Sequence, residues 1–359
     1  MPSARQIHRM ADTLDMGDMG DAFLSSLMRR SIANAATARL CARPNPWVGA
    51  VVIDQEGAVY DGATEPPGSR HAERVAIDAA GDSVRGSTLF TTLEPCAHTG
   101  RTGPCADAII ESGVARVVIG VLDPDPNVAG LGMERLLAAG IDVTLGVESD
   151  AISAQLAPYF TQRRTGRPFV VLKLALTLDG FIAAPDGTSQ WITGQEARSD
   201  VHRLRAESDV IVVGSQTVRA DNPSLTVRDF TPALARESSA SLDPWRVVLG
   251  SSAADLEASA KTSPYEAWDG GPAALLDELG TRGHLQVLVE GGGTTAGSFH
   301  RAGLVDEYWL YLAPAIMGGS DGRNAFAGEG APTMADVQRG KFLDVTQLGD
   351  DIRLRYKSA

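Results

Sequence analysis

Two cysteines in the segment TTLEPCAHTGRTGPC, Cys96 and Cys105, each directly follow a proline and have eight residues between them. Zinc takes tetrahedral thiolate and imidazole ligands, so the pair can form half of a metal site. The imidazole stands upstream, as His71 in the tripeptide His71-Ala72-Glu73. Three protein ligands leave one position open, the pattern of a catalytic rather than a structural centre. His71 and Cys105 both open segments patterned as helices, and the positive end of a helix dipole helps hold a cysteine as thiolate. Glu73 is close enough to His71 to reach the open position without being a ligand. Water on zinc has a pKa of about 7, so Glu73 could take its proton and pass it to a leaving amine. Cys41 has no such partner and reads as a small buried hydrophobe.

A second segment, LVEGGGTTAGSF, reads as a strand ending in a glycine turn that opens a helix. Backbone N–H groups at such a turn can cradle a phosphate. Gly291, Gly293 and Ala296 loosely fit G-x-G-x-x-A, without the acidic residue about 20 positions on that a ribose-binding Rossmann unit carries. A tight strand–helix turn with no ligand is the alternative.

These segments must be positioned by a chain of 359 residues, enough for two domains, with 43% hydrophobic and 21% charged residues. The formal net charge of −13 provides no broad basic surface for nucleic acid, although a few local arginines suffice for one phosphate. Three cysteines are no disulfide framework and fit a reducing cytoplasm. No apolar run reaches the length of a membrane span. Residues 1–20 carry no apolar run and read as a poorly ordered leader.

From Asp21 onward, Phe23, Leu24, Leu27, Met28 and Ile32 recur at helical spacing. Two strands joined by a turn over residues 54–57 follow. A helix opened by HAE, a strand STLFTTL, a helix CADAIIESG, a strand ARVVIGVLD, a helix GMERLLAAG and a strand IDVTLG complete an α/β pattern. A helix over 149–162 precedes the polar, broken segment RRTGRPF, where the domain boundary is placed, giving domains 21–165 and 166–359. The second domain has helix candidates at 195–208, 273–279 and 294–302, and strand candidates at 210–214, 246–249, 285–290 and 306–313. Residues 229–245 and 251–272 read as loop.

The segments RPNPWVGAVVI, HAE and TLEPCAHTGRTGPC resemble the deaminase half of the bifunctional riboflavin-biosynthesis deaminase–reductases. KLALTLDG, SQWITG, DVHRLRAESDVIVVG and ADNPSLTVR resemble the reductase half of the same family, in the same order. The resemblance implies a cytidine-deaminase-like N-terminal domain and a dihydrofolate-reductase-like C-terminal domain that uses NADPH. The implied reactions are zinc-dependent hydrolysis of the 2-amino group of 2,5-diamino-6-ribosylamino-4(3H)-pyrimidinone 5′-phosphate, then hydride delivery to the ribose C1′ of the product to give a ribityl chain. Asn45, His98, Arg101 and Thr102 fall at positions lining the first pocket. In the second, Lys173 and Asp221 are the candidates for catalysis. Arg205 and Arg228 would hold the substrate phosphate, Glu290 its hydroxyls, and Ser189 and Leu225 stand at further substrate positions. Ala175, Trp191, Thr217, Asp221, Ser251 and the run Gly292, Gly293, Thr294, Thr295, Ala296, Gly297 and Ser298 match cofactor-side positions. The resemblance also suggests a homo-oligomer.

The chain departs from the family pattern in places. Thr64 stands where a histidine is common, Arg74 where a valine is, Gly103 where a proline is, and Gly250 where an aspartate is. The stretch from Arg246 to Glu290 is shorter than in many relatives. A deaminase with a non-catalytic second domain is therefore the rival reading, and a zinc-binding interaction protein is a second.

Overall fold

The periodic run that begins at Asp21 folds as helix α1 (Asp21–Ala38), and Phe23, Leu24, Leu27 and Met28 are buried along it. The computed structural model describes residues 20–97, 103–125, 128–231, 241–250 and 264–358, so residues 1–19 of the expected leader lie outside the described residues. The described residues fall into two compact units, the first ending at Arg164 and the second beginning at Thr165.

In the first unit, β1 (Gly49–Ile53) pairs antiparallel with β2 (Val59–Ala63). The turn between them closes with Gly57 N–H donating to Asp54 O at 3.1 Å. Helix α2 (Ala72–Ala80) and a 3-10 turn (Gly81–Val84) lead to β3 (Thr88–Leu93), which pairs antiparallel with β1. Helix α3 (Cys105–Ser112), β4 (Arg116–Val121), helix α4 (Leu131–Ala138) and β5 (Asp142–Leu145) follow, with β4 and β5 added in parallel. The sheet order is β2-β1-β3-β4-β5. Every residue of β1 and β3 is buried, so β1 reads as a continuous apolar run and β3 buries Thr88, Thr91 and Thr92 among its apolar residues without alternating. The close packing needs glycine: a Cβ on Gly49 would lie 1.9 Å from Ser31 O of α1, and one on Gly62 2.1 Å from Ala72 O of α2.

The helix expected over 149–162 is two helices, α5 (Ser149–Gln155) and α6 (Ala157–Thr165). Pro158 has no N–H with which to continue the ladder, and the chain breaks at Leu156.

The second unit opens with β6 (Phe169–Leu176), β7 (Phe181–Ala183), α7 (Gln195–Ala206), β8 (Val210–Gly214) and α8 (Ser215–Asp221). It continues through β9 (Trp245–Leu249), β10 (Glu266–Trp268), α9 (Pro272–Thr281), β11 (Gln286–Val289) and α10 (Gly293–Arg301). It ends with β12 (Glu307–Leu312), β13 (Arg323–Asn324), β14 (Gly340–Leu348) and β15 (Asp351–Ser358). The main sheet runs β10-β9-β8-β11-β6-β12-β15-β14, parallel from β10 to β12 and antiparallel beyond it, while β7 and β13 pair apart from it. Strands β6, β8 and β11 and helices α9 and α10 enclose the core around Val212, Val289, Leu276 and Phe299.

Strand β10 corrects the loop reading of residues 251–272. It has only three residues, too few for alternation to register, yet it closes the edge of the shortened segment by pairing with β9. Among the described residues, no helix is long and apolar enough to cross a membrane.

Candidate active sites

His71 is the N-cap of α2 and holds an extended backbone, which turns its ring toward the loop after β3. Cys105 is the first residue of α3, and Cys96 lies in the loop that β3 feeds. His71 Nδ1 is 3.2 Å from Cys105 Sγ and 3.7 Å from Cys96 Sγ, and all three donor atoms lie within 4.8 Å of one another. The Cys105 backbone N–H donates to Cys96 Sγ at 3.3 Å. The Cys105 side chain, with His71 and that N–H, pulls the Cys96 thiol down to about 4 in spite of its burial. The facing Cys96 sulfur and burial push the Cys105 thiol up. A hydrogen bond to Cys96, with Glu73 nearby, lifts His71 to about 8 against burial. Burial pushes Glu73 up to about 7, with His71 opposing.

The second site is a cavity of about 1500 Å³, larger than the roughly 300–1,000 Å³ of a pocket for one drug-sized ligand. Lys173 and Ala175 reach it from β6, Thr217 and Asp221 from α8, Arg205 from α7, and Glu290 from the end of β11. Ser189, exposed Trp191, Leu225 and exposed Arg228 complete the wall, with Gly292, Gly293, Thr294, Thr295 and Ser298 at the start of α10. The cavity therefore lies at the carboxyl ends of parallel strands, where open α/β sheets place ligands. Arg205 Nε and Nη2 donate to the two Glu290 oxygens at 2.6 and 2.8 Å, and Nη1 donates to Thr226 O at 3.1 Å. Lys173 Nζ is 3.9 Å from Glu290 Oε2 and 5.8 Å from the centre of the Tyr311 ring. Burial would raise the Glu290 carboxyl, but Arg205, with Lys173 and His202, holds it down at about 2. Burial lowers Lys173, with Glu290 opposing, and burial raises Asp221, with Arg323 opposing.

Several expectations change against this geometry. The Arg205 fork is taken up by Glu290 rather than held out for a phosphate. Ala296 and Gly297 face inward: Ala296 joins the core, and a Cβ on Gly297 would sit 2.2 Å from Ala327 O. Cys41 is half-buried, not buried, and its thiol donates to Ala38 O at 3.3 Å. Thr64 is buried and its hydroxyl is spent on the Val48 backbone, accepting its N–H at 2.9 Å and donating to its O at 3.2 Å. Asn45 is half-buried in the turn before β1, where its backbone N–H donates to Ala42 O at 2.9 Å. His98, Arg101, Thr102 and Ser251 lie outside the described residues.

Residues 22–121 match the cytidine and deoxycytidylate deaminase zinc-binding region, and residues 168–354 match the RibD C-terminal domain. The riboflavin biosynthesis protein RibD of Chlamydia trachomatis is 39% identical over 336 residues, which span 87% of each chain. The solved structure of Acinetobacter baumannii RibD aligns with a TM-score of 0.86 at 34% identity, covering 95% of this chain and 100% of that one. The chain belongs to the RibD family. A Thermotoga maritima member, described as a diaminohydroxyphosphoribosylaminopyrimidine deaminase/5-amino-6-(5-phosphoribosylamino)uracil reductase, aligns with a TM-score of 0.80 at 31% identity over 94% of this chain and 99% of that one. This RibD-family chain is a bifunctional deaminase and reductase of riboflavin biosynthesis, with zinc and NADPH as its cofactors.

The residues fit both groups. Zn–N and Zn–S bonds in a tetrahedron place imidazole nitrogen and sulfur about 3.6 Å apart, close to the 3.2 and 3.7 Å seen here. The cluster also shares protons that a divalent cation would displace. For the nucleotide, α10 begins after a glycine N-cap with no side-chain cap, which leaves its first N–H groups open to a phosphate. The sequence assigns no role to two further cavity residues, His202, inside the segment DVHRLRAESDVIVVG, and Arg323, outside every family-like segment. His202 could have been found from its place one helical turn from Arg198 and Arg205 on α7. Arg323 has no local signal: only the pairing of β13 with β7 brings it to the cavity.

Proposed function

We propose that the first unit, residues 21–165, removes the exocyclic amine of a diaminopyrimidine ribosyl phosphate, and that the second, residues 166–359, reduces the sugar of the product. The reading is carried by His71, Cys96 and Cys105 converging beside buried Glu73. When bound, zinc lowers the pKa of a water and so supplies the nucleophile at neutral pH. Glu73, buried beside the three ligands, accepts a proton and returns it to the departing amine. Asn45, with His98, Arg101 and Thr102, holds the substrate.

In the second unit NADPH supplies the hydride. Gly292, Gly293, Thr294, Thr295 and Ser298 would hold its phosphates, and Ala175, Trp191, Thr217 and Ser251 would contribute further contacts. Hydride addition at the ribose C1′ would break the ring C1′–O4′ bond, and Lys173 would protonate the departing ring oxygen, leaving the open ribityl chain. The lowered pKa of Lys173 makes the ammonium a readier acid. Asp221 lies at the cofactor side. Glu290 holds the sugar hydroxyls and is itself fixed by Arg205, so the substrate phosphate falls to exposed Arg228.

The protein works in the cytoplasm as a homo-oligomer. Edge strand β14 supports assembly with a second copy, since Phe342 and Val345 are 64% and 61% exposed on it. The test is to incubate purified protein with the diaminopyrimidine ribosyl phosphate, with and without NADPH, and to read ammonia and product masses. Exchange of the amine for oxygen without NADPH, and a further two-hydrogen gain with it, is expected. Loss of amine with no gain on adding NADPH leaves the second unit without the proposed role.

A further inference from the structure

The two sulfur ligands sit on separate segments, and α4 touches both. Arg135 Nη1 of α4 donates at 3.2 Å to the carbonyl of Ala97, one residue past Cys96. Its Nε lies 2.6 Å from Asp107 on α3, two residues past Cys105. One turn earlier on α4, Gly132 lies so near Pro95 that an added Cβ would sit 1.9 Å from Pro95 O.

Helix α4 has Gly130 as its N-cap and no side-chain cap of its own. Its first turn is capped from outside by Glu94, buried at the end of β3. One carboxylate oxygen accepts the Gly132 and Met133 N–H groups at 2.9 and 3.2 Å. The other accepts those of Asp123 and Gly130 at 3.2 and 3.0 Å. Four donors are about what an ionised carboxylate can take, and a negative charge is favoured at a helix N-terminus. Glu94 precedes Cys96 by two residues, so the group that anchors α4 and the metal-ligating sulfur share one short stretch of chain.

We propose that Glu94 and Arg135 are positioning residues of the metal centre, setting Cys96 against Cys105 through α4. Neither touches the reacting atoms. The proposal rests on the reading of His71, Cys96 and Cys105 as zinc ligands. Partners behind metal ligands orient them, and losing one commonly changes metal affinity or activity by about 10–100-fold.

The test uses the full-length chain and the variants Glu94→Gln and Arg135→Met. Two readouts report the ligands directly: the rate of zinc transfer to a chromophoric chelator, and the thiolate-to-metal charge-transfer band of the cobalt-substituted protein. The NADPH-dependent activity of the second unit reports whether the rest of the chain is intact. Glu94→Gln should release zinc about 10–100-fold faster and displace the cobalt band, with the reductase rate unchanged. Arg135→Met should shift both readouts the same way by less, because Arg135 is half exposed. If Glu94→Gln fails to fold, Arg135→Met alone decides. Wild-type release and an unmoved band in the folded variants would overturn the proposal, even if melting temperatures fell. A wild-type protein that holds neither zinc nor a cobalt–thiolate band would instead overturn the ligand reading beneath it.

Discussion

Replacing Arg205 with methionine keeps most of the side chain's length and removes its charge, which isolates the pair it forms with Glu290. Both oxygens of Glu290 accept from the guanidinium, at 2.6 and 2.8 Å, and the two side chains are only 13% and 9% exposed. Burial alone would raise the Glu290 carboxyl, yet Arg205, with Lys173 and His202, holds it at about 2 against an ordinary 4.5. That depression corresponds to about 3 kcal/mol of stability. The folded value lies below the unfolded one, so the stabilisation is fully present above pH 4.5 and is lost as pH falls through about 2. Removing one partner from a buried pair costs about 3–5 kcal/mol, because the other charge stays buried without compensation. In a unit of this size that is roughly 10 °C in melting temperature. Tryptophan fluorescence is a suitable probe, since Trp191, Trp245, Trp268 and Trp309 lie in the second unit and only Trp47 in the first. Arg205→Met, Glu290→Leu and the double variant should be unfolded in urea between pH 3 and 8. At neutral pH Arg205→Met should lose about 3–5 kcal/mol, and the double variant clearly less than the sum of the singles. The gap between Arg205→Met and wild type should narrow below pH 4. If Arg205→Met melts like the wild type and only KM for the phosphorylated substrate rises, Arg205 is a phosphate ligand and its pairing with Glu290 is incidental.

The two chemistries should separate by mutation. Glu73→Gln should lower deamination by about 10²–10⁴-fold with zinc content and reduction of pre-deaminated substrate unchanged, and Lys173→Met should do the converse. Loss of both activities in either variant, in folded protein, would sink the assignment of independent sites. Val345→Lys, placed on the exposed face of β14, should shift the mass measured by light scattering toward the single chain. An unchanged mass at micromolar concentration would remove β14 as the assembly edge.

What was legible in the sequence was chemistry whose residue types are themselves diagnostic. His71, Cys96 and Cys105 stand out because few soft-metal ligands occur in the chain and each opens or precedes a helix. Lys173 and Glu290 stand out through strands that are apolar almost throughout, which makes a charge on or just beyond them conspicuous. Arg205 was legible as a guanidinium, but its partner lies 85 residues on, and sequence spacing on one helix cannot show which carboxylate engages it. Strand β14 left little trace because most of its residues are exposed, so burial imposes no clear period of two, whereas β15 does alternate Ile352, Leu354 and Tyr356 with Arg353, Arg355 and Lys357, a strand signal that went unassigned. Glu94 and Arg135 were hidden for a different reason. Their bonds run largely to backbone atoms, Glu94 to four N–H groups between Asp123 and Met133 and Arg135 to Ala97 O, and every residue type presents the same backbone. A metal ligand must be one of a few side chains, whereas the amide that accepts or offers a positioning bond can belong to almost any residue. A site's ligands can therefore be read from composition and spacing, while the shell that sets their geometry becomes visible only when the fold brings distant backbone to a carboxylate such as Glu94.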